Sequence, residues 1–187
     1  MRPSRRMETV SMESLTSGPL GSPDPARAVV RHLTATLAYR AAKVLRDVPG
    51  GFGEATFAPG VRAPARIVAH MADLIAWGVT LAHGEYIWKA EGSDDWDVEV
   101  KRFFRNLAAL DAALAHDGPF SGSIEQLLQG PLADALTHVG QLAMLRGMAG
   151  APVRPESYAR AEIVSGRVGP DQAAPAREFD GDASARK

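Results

Sequence analysis

Cysteine is absent from the 187 residues. That excludes disulfides, thiolate metal sites and a cysteine nucleophile. No run of apolar residues reaches the length of about 18 that a membrane helix needs, so no membrane-spanning segment is expected. The opening "MRPSRRMETVSMESL" is basic, but no apolar core of signal-peptide length follows it, and the cytoplasm is the expected compartment. An excess of one charge sign is also lacking. The formal net charge is −1 and the basic residues are spread along the chain, which argues against nucleic acid and against an acidic tail. Lysine is scarce, 4 against 17 arginines, a bias of the kind found in GC-rich bacterial genomes. It says nothing about mechanism.

What is present is enough apolar residue, 45% of the chain, for one domain with a substantial core. Residues 1–23, ending "LTSGPLGSP", mix Ser, Gly and Pro without an apolar period and read as a flexible arm. Asp24 followed by Pro25 is a helix start, an N-cap oxygen ahead of a residue whose missing N–H costs nothing there. Val30, Leu33, Leu37, Ala41 and Val44 then recur at helical spacing to about Asp47. "PGGFGEATFAPGVRAP" breaks that helix, and Pro64 opens a second with Ile67, His70, Leu74, Trp77 and Leu81 on one face. A third begins near Ser93 or Asp94 and carries Trp96, Val100, Phe103, Leu107, Leu110 and Leu114, stopping near Asp117. "SIEQLLQ" reads as a short helix, after which Gly130-Pro131 restarts the chain into a fourth helix ending near Gly150. Four amphipathic helices without an alternating strand predict an all-α, up-and-down-type four-helix bundle over residues 24–153. Residues 154–187 read as a C-terminal extension in which Tyr158, Ile163 and Val164 anchor a covering segment and "DGDASARK" has nothing to bury.

The stretch "DALTHVGQLAMLR" at 134–146 interrupts an apolar pattern with Asp134, Thr137, His138 and Gln141. At about 100° per residue, Asp134 and His138 project from one side of the fourth helix, and Gln141 shares that face. His70 has the equivalent place on the second helix. Two facing helices would bring two imidazoles and a carboxylate together inside the bundle, which is how bundle-core metal sites are made. Neutral imidazole and carboxylate suit Zn, Ni, Fe(II) or Mn, and three protein ligands leave a position open. Gln141, Asp73 and Trp77 are the candidate flanking or substrate-facing groups. The same residues also fit a core histidine hydrogen-bonded to a carbonyl or to Asp134, and an ordinary Asp–His surface pair at i, i+4. His32, His83 and His116 lack a partner at metal spacing and read as surface residues, while Trp77, Trp96, Phe103 and Phe104 suit the core.

"IVAHMADLIAW", "GPLADALTHVGQLAMLRGMAGAPV" and the trailing "PESYARAEIVSGRVGPDQ" together resemble the DinB-like superfamily of metal-binding four-helix bundles, which includes metal-dependent hydrolases of the YfiT type. The resemblance covers residues 24 to 172. It implies a metal held by a second-helix histidine, here His70, and by a His-x-x-x-His pair on the fourth helix, whose second member is His138 and whose first falls on Asp134. That replacement favours Fe(II), Mn or Ni relative to an all-histidine set. The resemblance further implies a homodimer, and a transferase that uses a low-molecular-weight thiol such as bacillithiol or mycothiol, its pKa lowered by the metal. Alternatives are hydrolysis of an amide or ester with Asp134 as base, and a non-catalytic small-molecule-binding bundle with a vestigial site. Whatever the substrate, the loops at 49–62 and 84–94 and the segment after Val153 are where its specificity is expected.

Overall fold

The computed structural model describes residues 24–179; the expected N-terminal arm and the final "DGDASARK" lie outside them. Helix α1 is Pro25–Leu45, α2 Pro64–Ala82, α3 Trp96–Ala115, and a fourth rod joins α4 (Ile124–Leu127), a π-helical turn (Leu128–Leu132) and α5 (Ala133–Met148). No strand occurs among the described residues beyond a single bridge between Glu156 and Glu178. The architecture is all-helical and bundle-like.

Local chemistry explains the boundaries. The Asp24 carboxylate accepts from Ala26 N at 3.0 Å, Asp95 from Val98 N at 3.0 Å, and Ser123 Oγ from Gln126 N at 3.2 Å, each satisfying an N–H that a helix start leaves without a partner. Helix α1 stops as Arg46 turns extended and Asp47 enters the left-handed region at φ 52°. The four carbonyl groups at such an end lack partners. Arg146 of α5 caps this end, its guanidinium donating to Val44 O at 3.0 Å and, just past the helix, to Arg46 O at 2.7 Å and Asp47 O at 3.2 Å.

The expected break at Gly130-Pro131 is instead a continuation. Ala133 N donates to Leu128 O, five residues back, so the turn widens around Pro131. Proline lacks an N–H and its ring presses on the carbonyl four residues earlier, so a local π turn is a way to keep the rod continuous. Helix α2 lies close against this turn. A Cβ on Gly78 would sit 3.3 Å from Pro131 Cγ, and one on Gly130 would sit 3.1 Å from the Trp77 ring.

The up-and-down order is also corrected. Arg102 reaches Ala69 O, Asn106 reaches Ala72 O, and Leu110 lies beside Gly78, so α2 and α3 run parallel. Arg27 reaches Gly118 O and Arg31 pairs with Asp111, making α1 antiparallel to α3. Consecutive α1 and α2 sit diagonally, as do α3 and α5. The parallel pair needs a return path, and residues 83–95 provide it. At about 3.3 Å per residue they can run back along the roughly 28 Å of α2. The Glu91 N–H to Asp73 Oδ1 bond, 3.2 Å, pins the connection to α2.

Val30, Leu37, Met71, Ile75, Phe103, Leu107, Leu110, Leu132 and Leu142 form the centre of one core. Helix α2 alone among the described residues is long and apolar enough to cross a membrane by composition, and 67% of its apolar window is buried inside the fold. The C-terminal segment is tied down by charge more than by the expected apolar anchors. Glu156, buried, accepts from Tyr39 Oη at 2.7 Å and Lys43 Nζ at 2.8 Å, and Lys43 also meets Glu178 at 2.6 Å. Tyr158 stacks beneath Arg40 and Ile163 packs on the core, but Val164 is exposed and Val168 is buried in its place.

Candidate metal centre

Helices α2 and α5 run antiparallel, since His70 meets Asp134 and His138 while Trp77, two turns on, meets Gly130. His70 Nε2 lies 3.5 Å from Asp134 Oδ2, and His138 Nε2 lies 3.3 Å from Asp134 Oδ1. One donor atom from each of the three residues falls within 4.8 Å of the others, so the group could hold a metal ion. Donors about 2.0–2.2 Å from a tetrahedral ion stand roughly 3.4 Å apart, close to the separations observed from Asp134. The three residues singled out in the sequence are therefore the ones brought together.

Protonation favours the same reading. Gln141 Oε1 is 2.8 Å from His138 Nδ1. An amide oxygen only accepts, so Nδ1 carries a proton, and in the neutral ring Nε2 keeps a lone pair 3.3 Å from a carboxylate oxygen. Two acceptors at that distance repel unless a cation or a second proton stands between them. On His70, burial, reinforced by His138 and Arg62, outweighs the opposing pull of Asp134 and pushes the imidazole below its ordinary pKa. A second proton is thereby disfavoured on His70, and a neutral imidazole there suits a divalent ion.

The position of the site differs from expectation. Asp134 and His138 were placed inside the bundle, but the Asp134 side chain is 46% exposed and that of His70 26% exposed, with only His138 buried. The cluster sits at the edge of the α2–α5 interface, where a cavity of about 500 Å³ opens, lined by Val61, Arg62, Ile67, His70, His138, Gln141, Met144 and Leu145. Thr137 makes no side-chain hydrogen bond to His138 among the described residues. Its hydroxyl donates to Asp134 O at 2.6 Å.

Two flanking candidates fall elsewhere. Asp73, 5% exposed, points to α3 and pairs with Arg102 at 2.6 Å. Trp77 does not line the cavity; it packs against Tyr86 and Trp88. Trp88 is the residue that touches the centre, its ring 5.9 Å from that of His70. It and Arg62 were not singled out individually, since both lie in loops without periodicity, though both fall in the segments where specificity was expected. His32, His83 and His116 are exposed, as read.

Compared with known proteins, the chain matches no family model, no curated protein and no solved structure.

Proposed function

We propose that the protein is a metal-dependent enzyme of the DinB-like kind, a four-helix bundle in which His70, Asp134 and His138 hold one divalent cation. Its reaction is the transfer of a low-molecular-weight thiol to an electrophile. The observation that carries this reading is the convergence of three donor atoms within 4.8 Å of one another, with His70 and His138 on the wall of an open cavity. When bound, a divalent ion supplies Lewis acidity, favouring an ionised nucleophile at neutral pH. The chain's own groups do the rest. Gln141 fixes the tautomer and orientation of His138. Trp88 covers one side of His70. With no cysteine in the chain, a sulfur nucleophile has to arrive with a co-substrate. A homodimer belongs to the same proposal.

A second reading, hydrolysis of an amide or ester, is favoured by the half-exposed Asp134 carboxylate, which no Lys or Arg side chain neutralises among the described residues and which could serve as a base. The experiment is elemental analysis of protein purified without an affinity tag, followed by turnover assays with a chromogenic aryl halide or ester, with and without added thiol. Stoichiometric metal and thiol-dependent consumption of the halide support transfer. Metal-dependent ester cleavage without thiol assigns hydrolysis instead. Protein that takes up no divalent ion overturns both.

A further inference from the structure

Arg62 stands at the cavity mouth and makes no hydrogen bond or ion pair among the described residues. Its neighbour Arg66, one turn into α2, is held by Asp94. The first turn of α2 adds to the positive charge at this end. Ala63 caps it without a side-chain hydrogen bond, and no acidic residue lies in that turn, so the positive end of the helix dipole is not offset. Arg62 and His70 line the same cavity. Beside Arg62 the cavity walls combine apolar Val61, Ile67, Met144 and Leu145 with the polar groups of His70, His138 and Gln141. A pocket with an apolar body and a cationic group at its entrance selects ligands by both features.

We propose that this cavity takes an amphipathic organic anion, with its apolar part against Ile67, Leu145 and Met144 and its carboxylate or other anionic group on Arg62. The inference rests on the proposed function only in placing the reacting end of that molecule beside His70 and His138. Anion recognition by Arg62 does not need the metal. Arginine suits the task because its planar fork holds a carboxylate through two parallel N–H···O bonds.

The test is isothermal titration of the chelator-treated protein with octanoate and, separately, with octanol. The wild type should bind octanoate about tenfold more tightly than octanol or better. Arg62→Gln should erase that preference without changing octanol affinity, and Arg62→Lys should restore part of it. Met144→Asp, at an exposed position where the fold tolerates change, should weaken both ligands. Equal affinity of the wild type for the two ligands, or an unchanged preference in Arg62→Gln, overturns the proposal, as does no binding at millimolar concentration. Metal content is measured on the same samples. Octanoate preference in a protein that takes up no divalent ion defeats the metal reading alone. Stoichiometric metal without that preference defeats this inference alone.

Discussion

Helix α2 carries two polar clusters three residues apart, and they solve the problem of polar groups at an interface in opposite ways. Asp73 faces α3, where Arg102 binds it at 2.6 Å, binds Glu99 at 2.6 Å and donates to Ala69 O at 2.8 Å, while Ser93 donates twice more to Glu99. Each charge there meets its opposite. His70 faces α5, where two imidazoles and a carboxylate converge and no Lys or Arg side chain lies among the donors. A cluster that carries its own countercharge is part of the fold, and one that leaves an acceptor facing an acceptor is a place for something from outside.

The comparison is broken most severely at Arg102. Arg102→Leu strands two buried carboxylates, and the expected loss is about 3–5 kcal/mol by urea denaturation. If the α3-facing cluster were merely decorative, the loss would stay within about 0.5 kcal/mol.

At the α5-facing cluster the expected loss is of binding, not of folding. With zinc at a hundredfold its dissociation constant the wild type should gain about 2.7 kcal/mol, read as a rise in melting temperature. His138→Ala and His70→Ala should gain almost none while retaining stability without metal. Asp134→His should keep or strengthen the response to zinc and nickel, because a third imidazole completes an all-nitrogen set. No shift with any divalent ion in either the wild type or Asp134→His would leave the site as a histidine–carboxylate contact. A smaller change is expected from Gln141→Ala, which frees the His138 ring and should lower metal affinity about tenfold or somewhat more, read by competition with a chelator.

The smallest effect is acid sensitivity. Burial by itself would raise the Glu99 carboxyl, but hydrogen bonds from Ser93 and Arg102 override it and hold the group below its ordinary range. Its contribution is thus fully present above the ordinary carboxylate pKa of 4.5 and is lost as pH falls below it. Glu99→Gln should flatten that part of the stability profile, measured by denaturant melts from neutral to acid pH.

Much of this molecule is decided by local pattern. Asp24-Pro25 starts α1 because an N-cap and an N1 proline act within their own turn, and the stripe of Phe103, Leu107, Leu110 and Leu114 buries because helical periodicity alone puts those residues on one side. The pairing of Asp134 with His138 is equally local, being one helical turn apart. His70 could be matched to them only through its place on a second stripe and through the family resemblance.

Tertiary structure decided the rest, since each remaining feature depends on which segment arrives alongside. Asp73 and His70 differ by less than one helical turn, yet one meets Arg102 and the other Asp134 because α3 and α5 flank α2 on different sides. The parallel course of α2 and α3 follows from a connection that lies back along α2, placing Trp88 on His70, and no periodicity in that loop encodes it. Pro131 marks a disturbance in sequence, but it lies in a π turn and not at a break, with Gly78 of α2 packed against its ring and Trp77 against Gly130. The sequence by itself determined which residues could serve as helices, caps and ligands, because those properties are set within one or two turns of chain. Their burial, their partners and the cavity at Arg62 were decided in space, where charge and shape meet across segments far apart in the chain.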